Sequence, residues 1–284
     1  MKNLDRYIQE KFLIDDDTYK TNYHPKNKIE LRKILEERLA KDKDANLNDI
    51  DVSQITDMGL NDDGFGLFEG LDLHNIDISE WDVSNVTDMR NMFYRRKNFN
   101  CNLSNWNVSN VICMDNMFLG CENFTGEGLE NWNVSKVTSM YSTFKNCENF
   151  NTDLNNWKMS NVLNTSKMFY NCYNFNSNLS KWDVSKVKNM RWMFRNCENF
   201  TGKGLEKWDV SEVENMSSMF YDCENFNADL SNWNVSNVEN MKCMFNYCKN
   251  FNCDLSKWDV SNVYDMEYMF FDCDSLKNKP SWYK

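Results

Sequence analysis

The 284-residue chain has 2 histidines, 2 prolines and 9 glycines, and basic residues are outnumbered by 43 acidic to 32. Both histidines, His24 and His74, precede the regular part of the chain, so neither a histidine-based triad nor a histidine metal centre can be built along the rest. The two glycine pairs, Gly126 with Gly128 and Gly202 with Gly204, lead into a predicted strand rather than a helix, which excludes a phosphate-cradling loop. The first 49 residues carry 11 charges of each sign, so the remainder holds the whole net charge of −11. That balance argues against nucleic acid and against an anionic membrane surface, since both need cationic neutralisation. Met1 to Lys20 is charged throughout and lacks the apolar core of a secretory leader, about 7–15 residues long. No apolar run approaches a membrane span of about 20 residues, so direct membrane insertion is not expected.

What the chain has is tryptophan in register. Trp81, Trp106, Trp132, Trp157, Trp182, Trp208, Trp233 and Trp258 follow one another at steps of 25 or 26 residues. Each opens the same unit: Trp, polar, Val, Ser, any, Val, two polar, Met, two variable, Met, Phe, two variable, Cys, two variable, Phe, a turn, then Leu three residues before the next Trp. A unit of this length cannot bury its apolar face alone and must stack on its neighbours.

The spacing inside a unit predicts two elements. Val86, Met89, Met92 and Phe93 stand at i, i+3, i+6 and i+7, the stripe of a short helix or a run of helical turns, with Ser84 placed to cap it. Leu103, Trp106 and Val108 alternate with polar residues as in a half-buried strand. The expectation is an α/β solenoid of 25–26-residue repeats, with parallel strands stacked about 4.8 Å apart, short helical segments and an N-terminal α-helical cap. Residues 1–49 read as a helical arm and cap, 50–80 as an irregular first repeat, 81–276 as eight tandem repeats and 277–284 as a C-terminal cap. Leu4, Tyr7, Ile8 and Phe12 suggest a first helix, and Ile29, Leu31, Ile34, Leu35 and Leu39 a second after Pro25. At the far end Pro280 stops the pattern, and Trp282 and Tyr283 are placed to fold over the last repeat.

The unit, as in Trp233-Asn-Val-Ser-Asn-Val-Glu-Asn-Met-Lys-Cys-Met-Phe-Asn-Tyr-Cys-Lys-Asn-Phe, resembles that of the BspA-like leucine-rich-repeat surface proteins. The resemblance covers residues 50 to about 276. It implies a leucine-rich-repeat-like solenoid with a recognition or adhesion role at a surface, and it brings no catalytic residues. Thr143 and Thr165 replace repeat methionines, and Met159 replaces a valine, which marks the middle repeats as packed differently.

Cys121, Cys147, Cys172, Cys197, Cys223, Cys248 and Cys273 share one repeat position, filled by Arg96 in the first full repeat. Stacked neighbours at strand spacing fall within disulfide reach. The position lies between two phenylalanines, however, where Cys serves as a small buried hydrophobe, and the odd total of 11 leaves at least one thiol unpaired or joined to another chain. A core ladder in a reducing compartment, cytoplasmic or virion-associated, is the simpler reading, with surface display the alternative that the family resemblance implies. Cys243, Cys248 and Cys253 match no standard zinc spacing. Asp62-Asp63-Gly64 lacks the alternating ligands of a calcium loop. No cofactor, metal or enzymatic activity is expected.

What remains is a surface. Between each Trp and Val stands a residue expected to face outward: Asp82, Asn107, Asn133, Lys158, Asp183, Asp209, Asn234 and Asp259. The pair after each first Met, such as Arg191-Trp192 or Glu267-Tyr268, offers a second surface, and Trp192 is its candidate partner contact. Two functions fit. One is a non-enzymatic scaffold binding protein or glycan along the solenoid face. The other is a structural component of a larger assembly, such as a phage particle, docked through residues 1–22.

Overall fold

The computed structural model describes residues 21–60 and 64–284. The expected first helix at Leu4–Phe12 and the inserted Asp62-Asp63 lie outside the described residues. The second expected helix, α1, spans Lys28–Leu39. Asn27 caps it by accepting from the Glu30 amide at 3.0 Å, while the Glu30 carboxylate accepts from the Lys26 amide at 2.8 Å. Leu31, Leu35 and Leu39 bury one face, whereas Ile29 is exposed. Three cations fasten the helix over the first turns of the solenoid: Lys28 to Asp57 at 2.7 Å, Arg32 to the Leu67 and Glu69 carbonyls, and Arg38 to both oxygens of Asp49. An otherwise open end of the core is thereby covered.

The repeats that follow form a solenoid, but not from the expected elements. Among the described residues, α1 and two three-residue 3-10 turns are the only helices, and no extended strand forms. Val86–Phe93, expected as a short helix or a run of helical turns, forms no helix and is a chain of tight turns. Met92 and Tyr94 donate to carbonyls three residues back, while Asn91 and Phe93 between them donate to Asp115 and Met117 of the next repeat, at 3.0 and 2.9 Å. Asn91 and Arg95 take φ of 57°. An α-helix would turn every amide back to its own i−4 carbonyl and leave none for the neighbour. The stack uses half of them as cross-links instead.

The expected strand at Leu103–Val108 is also corrected. The Trp106 amide closes a turn onto the Leu103 carbonyl at 3.1 Å, and Val111 closes another onto Val108 at 3.0 Å. The segment between them has no ladder of its own. Extended backbone still alternates its side chains, so Trp and Val point inward without a sheet. The repeats join by single-residue parallel bridges five residues past that Val, running Asp57, Asp88, Cys113, Ser139, Asn164, Asn189, Asn215, Asn240, Asp265.

Inside, each repeat position becomes a ladder. Phenylalanines Phe68 to Phe270 stack at 5.2 to 5.8 Å between ring centroids. Trp106 and Trp132 lie 6.3 Å apart and 1° from parallel, and each indole Nε1–H donates to a backbone carbonyl of the preceding repeat, such as Leu103 from Trp132 at 3.2 Å. Trp282 continues this series: it stacks on Trp258 at 6.4 Å and donates to Leu255 at 3.0 Å, so it is a further rung as well as an end piece. Thr143 and Thr165 are fully buried in place of Met, and their hydroxyls donate to the Met114 and Asn189 carbonyls. The two 26-residue repeats accommodate their extra residue through Gly128 and Gly204, at φ of 93° and 96°, each followed by a 3-10 turn. A Cβ on Gly128 would lie 2.3 Å from the Ser104 nitrogen.

Candidate functional site

All eight residues of the Trp-x-Val row are exposed. Seven of them have a role in the fold. The side-chain oxygens of Asp82, Asn107, Asn133, Asp183, Asp209, Asn234 and Asp259 each accept from the backbone N–H two residues on, at 3.0 to 3.2 Å. This local turn is the reason Asn and Asp recur there. Lys158 has no such oxygen, and the row carries a shallow hollow beside it, lined by Asn156, Ser160, Lys181 and Asp183. The hydrogen bond from Ser185 holds the Asp183 carboxyl below the ordinary carboxylate range.

The turns after the first Met make a different face. Its left-handed positions hold Asn91 and Asn116, as the backbone prefers, but also Lys167 at φ 59°, Trp192 at 60°, Cys243 at 54° and Tyr268 at 55°. Trp192 is partly exposed, with Arg191 over its ring at 4.3 Å, Lys167 at 5.0 Å and Arg195 at 5.5 Å. Arg195 also lies 3.9 Å from the Tyr221 ring, and Lys145 4.9 Å from Tyr170. Lys167 donates to the Tyr141 hydroxyl at 2.7 Å, and this bond lowers the tyrosine's pKa. Burial, with the nearby charge of Lys167, lowers the pKa of Lys145.

The structure therefore gathers Trp192 with cations and rings from three or four successive repeats, and the Trp-x-Val row is a separate line of residues. Sequence reasoning missed Lys145, Tyr170 and Arg195. Their signal is the position directly after the first Phe of each unit, read down the repeats: Tyr94, Leu119, Lys145, Tyr170, Arg195, Tyr221 vary where the core around them does not.

The seven ladder cysteines are buried or nearly so, and all eleven cysteines are free thiols. Each ladder thiol donates to a Phe carbonyl one repeat back, as Cys172 does to Phe144 at 3.0 Å, and burial raises its pKa. Among the described residues no group of three or more His, Cys, Asp or Glu side chains is arranged to hold a metal ion. No helix there is long and apolar enough to cross a membrane.

No curated protein matches the chain. A solved plant peptide hormone receptor, RGFR1 in complex with RGF2, aligns over 79% of this chain and 43% of its own, at 9% identity and a TM-score of 0.17. The chain thus spans less than half of that receptor's length, and a likeness this weak carries no argument. The family model described as "Mycoplasma protein of unknown function, DUF285" matches three overlapping times, at residues 30–128, 102–205 and 188–283, and the chain belongs to that family.

Proposed function

We propose that this protein is a non-enzymatic recognition scaffold of leucine-rich-repeat-like type, akin to the BspA-like surface proteins, and that it binds protein or glycan through the turn face around Trp192. One observation carries the reading: the left-handed position that Asn91 and Asn116 satisfy is given over to Lys167, Trp192 and Tyr268. A bulky side chain in that backbone region costs energy and returns nothing to the core, which is the pattern of a contact kept for a partner. The Trp-x-Val row, whose side chains bond to their own backbone, is the weaker candidate.

The test compares the parent with two variants on glycan and protein arrays. The face variant carries Lys167→Asn, Trp192→Asn and Tyr268→Asn, all residues the position already accepts. The row variant carries Asp183→Lys and Asp209→Lys, a change that Lys158 shows to be compatible with the fold. Signals lost in the face variant and kept in the row variant support the proposal; the opposite pattern moves recognition to the row.

A second reading, a component of a larger assembly, is favoured by the last repeat. Tyr264, Tyr268 and Phe271 are exposed there by 73%, 53% and 46%. Sedimentation across a concentration series, with and without residues 1–22, tests self-association and the contribution of the arm.

A further inference from the structure

The face around Trp192 has a charge opposite to that of the molecule. Across residues 141–146, 166–171 and 191–196, the turns of three successive repeats, four cations stand (Lys145, Lys167, Arg191 and Arg195) and no carboxylate, with Glu148 and Glu198 just beyond. The chain as a whole carries −11. Among the described residues none of the four forms an ion pair, unlike Lys97, Lys188, Lys242 and Lys249, and like Lys136, Lys158 and Lys181 elsewhere on the repeats. Neither the Arg191 nor the Arg195 guanidinium donates to a protein acceptor; both lie against rings, and the buried Nε of Arg195 has no partner at all. Buried donors are nearly always matched, so a guanidinium held by rings alone is set to turn toward an acceptor from outside.

The patch is short. Asp115 on one side and Asp222 on the other occupy neighbouring turn positions, so a long polyanion would meet repulsion beyond it. It is also without aliphatic side chains: the remaining turn positions of these three repeats are Tyr, Trp, Ser and Asn. Interfaces between proteins are centred on apolar, desolvated contacts. Here the cations sit instead beside aromatic rings and an amide ladder in which Asn196 donates to Asn171 and Asn171 to Asn146, at 2.7 and 2.9 Å. The Asn196 side-chain oxygen is left without a donor.

Resting on the recognition reading above, we infer that the ligand is a short acidic oligosaccharide. Its carboxylate or sulfate groups pair with Lys145, Lys167, Arg191 and Arg195, and its sugar rings and hydroxyls meet Trp192, Tyr170 and the asparagines. The cations supply the selection for charge, and the rings and amides the selection for sugar.

Calorimetry on the full chain tests this with four probes of equal length: a uronic-acid hexasaccharide, a sulfated hexasaccharide, a neutral hexasaccharide and a hexaglutamate peptide. One of the two acidic sugars binds at least about tenfold more tightly than the neutral one, and weakens by a similar factor in the variant Lys167→Asn, Trp192→Asn, Arg195→Tyr, as loss of charged hydrogen bonds requires. Which acidic sugar binds identifies the anionic group. The variant uses residues that equivalent positions already hold, and its thermal unfolding is recorded beside the parent's to show that it folds. Hexaglutamate binding as tightly as the sugars would overturn the inference in favour of an acidic polypeptide. Equal binding of neutral and acidic sugars would remove the role of charge. If no probe binds while the array signals still depend on Lys167, Trp192 and Tyr268, the ligand class is wrong and the recognition face stands; if those signals are independent of them, the face is wrong too.

Discussion

The indole N–H of Trp157 donates to the backbone carbonyl of Leu129, 2.7 Å away and one repeat earlier. That bond ties the most regular residue of the sequence to the most regular contact of the fold. Each Trp gives a second hydrogen bond to the Leu carbonyl that already closes the turn below it, and the ring then becomes the platform for the next.

Trp157→Phe keeps a ring and removes the donor. It removes one of the two hydrogen bonds that the Leu129 carbonyl accepts, the Trp132 amide at 3.1 Å being kept, so unfolding free energy falls by about 0.5–1.5 kcal/mol, with a further loss from the smaller ring. Urea denaturation followed by circular dichroism measures it. An unchanged midpoint would show that water replaces the indole.

Gly128→Ala forces a side chain into left-handed backbone at φ 93° and against the Ser104 amide. The cost is at least about 1–3 kcal/mol, larger than for a glycine in an ordinary turn. The same urea experiment on Gly70→Ala, where no atom lies within 4 Å of the added carbon, isolates the contribution of the clash.

Trp192→Asn behaves in the opposite way. The substitution relaxes a left-handed residue, so stability holds or rises by up to about 1 kcal/mol while ligand binding is lost. A stability loss above roughly 2 kcal/mol would make Trp192 a structural residue.

Stability falls at both ends of the pH scale, for different groups. Thiols raised by burial, such as Cys172, stay protonated in the folded chain while the unfolded thiol ionises near its ordinary value of 9.0; their contribution is complete below that pH and is lost as pH rises above it. Asp51 and Asp183 are lowered by hydrogen bonds from Ser53 and Ser185; their contribution is present above the ordinary carboxylate value of 3.8 and is lost as pH falls through the lower folded value. Melting temperatures measured from pH 2 to 11 are expected to be flat in the middle and to fall on both sides. Replacing Cys172 with Ala removes its share of the alkaline fall.

Native thiol labelling separates two classes of cysteine. Cys172 and Cys197 are fully buried and resist modification until the chain unfolds, while Cys113 and Cys253 are partly exposed with pKa pushed up to about 11 by burial, and react slowly below that pH. Mass spectrometry after brief treatment with a thiol reagent reads this directly. Rapid labelling of Cys172 would mean that the repeats open locally.

The repeat length, its register and nearly every buried side chain are determined by the sequence alone, because a stack of identical units puts equivalent residues in contact whatever the backbone does between them. Trp, Val, Met, Phe, Cys and Leu had nowhere else to go, and the α1 cap carried its own helical period from Leu31 to Leu39. The backbone was decided by the stack. A spacing of i, i+3, i+6, i+7 describes a helix, but it also describes successive three-residue turns, and only a neighbouring repeat offering carbonyls to Asn91 and Phe93 selects the turns. The same holds for the candidate site. Lys145, Lys167, Trp192 and Arg195 are spread over 51 positions of the sequence. They become one cationic, aromatic surface because the solenoid returns the chain to the same side once in every repeat.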